Sequence, residues 1–289
     1  MVTDRYINPF TDFGFKKLFG TEPNKDLLID FLNQILPEKH QIADLTYTST
    51  ENLAAGERDR KAIFDLYCTS ERGDKFIVEI QKAKQNFFKD RSVYYSTFPI
   101  QEQAIKGEWN FKLSAVYTVG ILDFVFAEDS QEDKVLHVVQ LKDQQGQVFY
   151  DKLTYVYLEM PNFKKQESQL ETHFDKWLYC IKYLQTLEDI PMKLQERIFR
   201  KLFKTAEIAN FSKVEMQEYE NSLKYYRDLK NVTDNAHEEG KLEGKLEGVY
   251  ESKIAFATAM LGEDEPIERI MRLTGLSREE IEALKIDKP

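Results

Sequence analysis

The chain has 289 residues, 42% of them hydrophobic and 31% charged, with a formal net charge of −10. That balance predicts a soluble globular protein with a substantial core, and it excludes both a disordered chain and a membrane helix, since no apolar run approaches ~18 residues. The negative charge argues against a phosphate-binding partner until its distribution is examined: residues 215–289 carry 18 acids against 11 bases, which leaves the rest of the chain near balance.

The opening, NPFTDFGFKKLFG, predicts a short helix begun near Thr11 and stopped at Gly20. Phe15, Leu18 and Phe19 recur at helical spacing and are expected to be buried. Asp12 and Lys16 lie one turn apart, the spacing of a surface ion pair. A second helix is expected from Pro23, with Leu28, Ile29, Leu32, Ile35 and Leu36 on its apolar side and Pro37 as its end. Residues 46–50 read as a first strand. The start of the chain has no basic and apolar leader pattern, so a cytoplasmic location is expected. Cys68 and Cys180 form no paired motif and read as reduced core residues.

Residues 61–85 predict a β-hairpin, KAIFDLYC and KFIVEIQKAKQ flanking TSERGD. A three-residue loop Glu71-Arg72-Gly73, with Gly73 left-handed, would pair Ser70 with Asp74 and set Asp65 opposite Glu79. Alternation then puts Phe64, Leu66, Phe76, Val78 and Ile80 on a core face, and Asp65, Glu79 and Gln81 on a polar face. Facing carboxylates repel unless a proton or cation lies between them, and a hard divalent ion suits such a pair. A solvated polar face is the alternative reading of the same spacing. Arg58, Arg60 and Lys61 before the hairpin, with Lys82, Lys84, Lys89 and Arg91 after it, form a candidate basic rim.

A helix is expected over residues 84–106, with Phe87, Val93, Tyr94 and Ile105 available for packing, and Arg91 and Tyr95 one turn apart toward the hairpin. Residues 111–126, 135–141 and 153–158 read as three further strands, the last two separated by the turn DQQGQ. After Pro161 the pattern is helical. One stripe is Phe174, Trp177, Leu178, Ile181 and Leu184, and another spans residues 192–209. The repeat EGKLEGKLEG follows, either a helix that pairs with a copy of itself or a glycine-weakened linker. Two terminal helices are joined at Thr274-Gly275-Leu276, with Ser277 and Glu280 spaced as a capping box. The second opens Arg-Glu-Glu-Ile-Glu, the wrong sign for a DNA reader.

NPFTDFGFKKLFG, FDLYC, KFIVEIQ, the helix with Arg91 and Tyr95 and the EGK repeat, in that order, resemble the recombination-promoting nuclease and transposase (Rpn) family of bacteria, within the PD-(D/E)XK nuclease superfamily. The resemblance implies an α/β fold with a mixed sheet flanked by helices and an all-helical C-terminal region. It divides the chain into a nuclease-like core at 1–160, a packed helical region at 161–235 and the repeat helix with a terminal helical hairpin at 236–289. It also implies a DNA endonuclease in which Asp65 and Glu79 hold Mg²⁺, with Mn²⁺ as a substitute, and Gln81 stands where the superfamily has Lys. Lys82 would point to the opposite face of a regular strand, whereas Lys84 would swing back toward the acids. Asp12, Lys84, Arg91 and Tyr95 are accessory candidates. Gln81 brings no positive charge, which keeps open an inactive fold that binds nucleic acid or protein. DNA and a divalent metal are the expected partners, no membrane is, and the C-terminal helix is a candidate homo-oligomer contact.

Overall fold

The computed structural model describes residues 4–48, 64–104, 107–126 and 134–286. Helix α1 (Asp12–Phe19) begins where expected, because the Thr11 hydroxyl accepts a hydrogen bond from the Gly14 N–H at 2.9 Å and caps a donor with no helical partner. It ends at Gly20 and buries Phe15, Leu18 and Phe19. Helix α2 (Lys25–Asn33) follows a turn containing Pro23 and ends before Pro37, and it buries Leu27, Leu28, Phe31 and Leu32. Strand β1 (Leu45–Tyr47) is shorter than the predicted 46–50, whose last two positions lie outside the described residues. The same holds for Arg58, Arg60 and Lys61 of the basic rim and for Ile105.

The hairpin forms in the predicted register. Strands β2 (Leu66–Ser70) and β3 (Lys75–Gln81) pair antiparallel with Leu66 opposite Val78 and Thr69 opposite Lys75. Gly73 takes φ +85°, a conformation glycine adopts without a Cβ clash, and Ser70 N–H donates to the Asp74 carbonyl at 2.9 Å. Helix α3 (Phe88–Gln101) crosses to β4 (Val116–Leu122), which is parallel to β3. The predicted strand at 111–126 is thus shorter than expected. Phe111 has a left-handed backbone and lies 77% exposed, so pairing starts only where β4 meets Lys75.

Strands β5 (Leu136–Lys142) and β6 (Val148–Glu159) complete a six-stranded sheet in the order β1-β2-β3-β4-β6-β5, with β3, β4 and β6 parallel at its centre. Gly120 on β4 lies beside Glu79, where an added Cβ would meet the Tyr157 ring at 3.0 Å.

Two helical layers sandwich this sheet. Leu66, Cys68, Phe76, Val78 and Ile80 enter the main core with α1, α2, α4 (His173–Tyr183) and α5 (Arg197–Ala206). Trp177 sits at its centre, with ring centroids 5.9, 5.7 and 5.2 Å from Phe19, Phe31 and Phe199. Both cysteines are buried and unpaired. Met192, counted in an apolar stripe, is instead 84% exposed, because α5 starts only at Arg197.

The opposite face is also covered, which corrects the expectation of one core face and one open polar face. Phe64 precedes β2, so strand alternation does not reach it, and it packs with Tyr67, Ile77, Phe98 and Tyr95 on the α3 side. Within α3 the buried positions are Phe88, Ser92, Ser96, Phe98 and Pro99. Phe87, Val93 and Tyr94, expected to pack, are 79%, 53% and 45% exposed.

Helix α6 (Lys213–Gly262) contains the whole EGK repeat. The chain divides into two compact units, Met1–Lys230 and Asn231–Pro289, with the boundary inside this helix. The first unit includes the start of α6, where Tyr219 and Leu223 are buried and the Tyr219 hydroxyl accepts the Asn8 N–H at 2.9 Å. The second unit packs the end of α6 with α7 (Ile267–Thr274) and α8 (Arg278–Ile286) around Ala257, Met260, Ile270, Leu276 and Ile281. The predicted capping box closes: Ser277 N–H donates to Glu280 and Glu280 N–H to the Ser277 hydroxyl. Among the described residues no helix is long and apolar enough to cross a membrane.

Candidate active site

Three parallel strands end together, and their carboxyl ends are where open α/β sheets place ligands. Among the described residues four buried or half-buried acids gather at this side of the first unit: Asp65, Glu79, Asp123 and Glu159. Their surroundings separate them into two kinds. Glu159 accepts hydrogen bonds from Phe126 N–H at 2.7 Å and from the Asn162 amide at 2.8 Å, and faces His137 at 3.4 Å. Asp123 accepts the Tyr226 hydroxyl at 2.8 Å and lies 3.5 Å from the Lys230 ammonium. These contacts tie the start of α6 to the sheet, and both acids are satisfied structural groups.

Asp65 and Glu79 are different. Asp65, at the entrance to β2, accepts the Ile80 N–H at 2.8 Å. Glu79 lies inside β3, only 7% exposed, and accepts the Gln81 amide at 3.2 Å. Among the described residues neither has a lysine or arginine at the ion-pair distances that Asp12 and Asp123 have. Burial, reinforced by the negative charge of Asp65, pushes the Glu79 carboxyl up to about 7, against the pull of Arg91 and the Gln81 hydrogen bond. Burial likewise raises Asp65, opposed by the Ile80 N–H. The hairpin has therefore brought together two carboxyls that burial drives toward protonation, the state a bound cation would reverse.

Arg91 and Tyr95 on α3 stand at this pair, as the sequence predicts. Burial and then the Glu79 charge raise the Tyr95 phenol, while Arg91 opposes them. The guanidinium lies between the Phe88 and Tyr95 rings, 5.6 and 5.7 Å from their centroids, and donates through Nη1 to Gln85. Its Nη2 is buried with no hydrogen-bond partner among the described residues. A donor stranded beside a buried acid pair is suited to donate to a phosphate oxygen.

Two lysines fall differently from expectation. Lys84 does not turn back to the acids: it lines a separate cavity with Phe87, Phe88, Phe124 and Phe126. Lys82, which a regular strand would point away, comes to Asp65 and Asp12 instead. Strand β3 stops at Gln81, so alternation no longer governs the next residue. Burial lowers the Lys82 ammonium while Asp12 and Asp65 hold it up, and its Nζ lies 5.2 Å from the Tyr225 ring centroid. Asp12 pairs with Lys16 at 2.9 Å, half exposed, as an i,i+4 surface pair. It also lines, with Lys16, Thr21, Tyr47, Asp65 and Ser222, a cleft of about 890 Å³ that opens onto Asp65.

Among the described residues no group of three or more His, Cys, Asp or Glu side chains is arranged to hold a metal ion. The site supplies two carboxylates. That donor set fits Mg²⁺ or Mn²⁺, hard ions that take one or two protein carboxylates and fill their remaining positions with water and substrate oxygens.

A mixed sheet sandwiched by helices, with an acid pair on a hairpin whose second strand enters the parallel centre, defines a PD-(D/E)XK nuclease fold. The chain belongs to the PD-(D/E)XK nuclease family transposases, whose family model it matches over residues 9–236. The match includes every residue of the site described above. No curated protein and no solved structure matches the chain significantly.

Proposed function

We propose that the protein is a divalent-metal-dependent DNA endonuclease whose phosphodiester hydrolysis is carried by Asp65 and Glu79. The observation that supports this most is the buried pair itself, in which burial and the neighbouring Asp65 charge push Glu79 up to about 7. Asp65 and Glu79 would hold Mg²⁺, with Mn²⁺ as a substitute. When bound, the ion would polarise the scissile phosphate and acidify a water molecule.

The remaining residues act directly on substrate and on the acids. Gln81 fixes the Glu79 carboxylate through its amide, and its carbonyl can accept a hydrogen bond from the attacking water. Lys82 brings to Asp65 the positive charge that Gln81 lacks, and Arg91 offers Nη2 to a phosphate oxygen. Asp12 keeps Lys16 beside the cleft, and Tyr95 backs the acid pair. The family's transposase description supports a role in DNA recombination or mobility, with DNA as the substrate.

Incubating the full chain with supercoiled plasmid tests this reading. Nicked circles are expected with Mg²⁺ or Mn²⁺ and none with EDTA, whereas intact plasmid under every divalent ion overturns it. The neutral Gln81 favours a second reading, an inactive nuclease fold that only binds nucleic acid. A gel shift of the same plasmid without nicking would support it.

A further inference from the structure

The segment joining β3 to α3 makes a second feature beside the acid pair. Phe87, immediately before α3, has φ 59° and ψ 29°, the left-handed region that bulky L-residues avoid. It caps nothing with its side chain, and its ring is 79% exposed. The position therefore carries strain with no packing in return, although Asn or Gly would fit it without cost. Strain retained in this way is expected where a side chain serves a ligand rather than the fold.

The exposed ring stands at a cavity of about 360 Å³, within the size range of small-ligand sites. Phe88, Phe124 and Phe126 form its aromatic wall, packed edge to face with centroids 5.7 and 6.1 Å apart for Phe88–Phe124 and Phe124–Phe126. Among the described residues Lys84, Lys89 and Asp90 lie at the cavity, and the Lys89 Nζ sits 5.0 Å from the Phe126 centroid. Phe88 also bears the Arg91 guanidinium on its ring, so one side chain is shared between this wall and the acid pair. Aromatic faces beside lysines are the two elements that hold single-stranded nucleic acid: bases stack and phosphates pair.

We propose that Phe87 and the cavity behind it form a stacking site for an unpaired nucleobase of the DNA substrate, with Lys84 and Lys89 on the adjoining phosphates. This deepens the nuclease reading and rests on it, because it makes the substrate a strand with at least one base out of the duplex. Every base offers a π-face, so the site selects strand state and not sequence.

Anisotropy titrations of the full chain in EDTA, where nothing is hydrolysed, separate this inference from the catalytic one. The probes are a labelled oligothymidylate of roughly 16 nucleotides and its abasic counterpart. The thymidylate is expected to bind about 5- to 100-fold more tightly than the abasic strand. Phe87→Gly should erase that difference while raising Tm by about 2–4 °C through relief of the left-handed backbone. Phe87→Trp should preserve it.

Equal affinity for the two strands, an undiminished preference in Phe87→Gly, or no binding of either strand overturns the proposal. A lower Tm in the glycine variant counts against it too, since it would make the ring structural. Tighter binding of oligouridylate would assign the site to RNA and overturn the DNA form. An inactive protein can pass this test and an active nuclease can fail it.

Discussion

Asp65→Asn should leave the protein folded and supercoiled DNA uncut. The substitution keeps a side-chain oxygen that can accept the Ile80 N–H, so the hairpin loses a charge but not its hydrogen bond. What would disappear is one of the two carboxylates proposed to hold the cation, and rate losses on the order of 10³-fold or more are expected when transition-state charge loses such support. Glu79→Gln should behave in the same way. Gln81→Ala should cost less, since it removes an orienting amide and leaves both carboxylates in place. Initial nicking rates at saturating Mg²⁺, with circular dichroism as the folding control, measure all three. Full activity in Asp65→Asn would remove the metal-dependent reading.

The second large effect concerns stability. Glu79 ionises near 4.5 in the unfolded chain and near 7 in the folded one, because burial and Asp65 oppose its charge. Below the lower value both states are protonated and no penalty arises. As pH rises between the two values the folded state alone keeps the proton, and metal-free stability falls. Above 7 the penalty is complete, at most roughly 3 kcal/mol for a difference of this size. Asp65, also raised, adds in the same direction.

Glu79→Gln should therefore be more stable than the wild type at pH 8 in EDTA and lose that advantage at pH 4.5. Mg²⁺, which binds the ionised pair, should raise the wild-type Tm at pH 8 and leave the variant unmoved. Thermal melts across this pH range check both signs, and a wild-type Tm that climbs from pH 5 to 8 without metal would contradict the buried-pair account.

The hairpin was legible because its determinants are local. Gly73 dictates the turn, the turn dictates the register, and the register places Asp65 against Glu79. The first helix was legible for the same reason, with Thr11 capping one end and Gly20 closing the other. What the sequence concealed depends on where regular strands stop. Phe64 and Lys82 each lie just outside a strand, so a two-residue period carried past the ends assigned both to the wrong side.

Long-range partners were equally hidden. Nothing in KFIVEIQ reveals that Glu79 will be buried, and that burial, more than the presence of a carboxylate, sets it apart from a surface acid. Tyr225, Tyr226 and Lys230 reach Lys82 and Asp123 from more than 100 residues away, with only the apolar spacing of Tyr219 and Leu223 to suggest that α6 docks at all.

Helix α6 is continuous in hydrogen bonding but not in support. Every residue from 234 to 252 is exposed, and Gly240, Gly244 and Gly248 each weaken the stretch by about 1 kcal/mol relative to alanine. Upstream, Tyr219 and Leu223 are anchored, and downstream, Ala257 and Met260 are. Deuterium uptake should consequently be rapid over the central turns and slow at both anchored ends of one helix. A protease acting on the native protein should find its first scissile bonds there, separating the first unit from the terminal one without unfolding either.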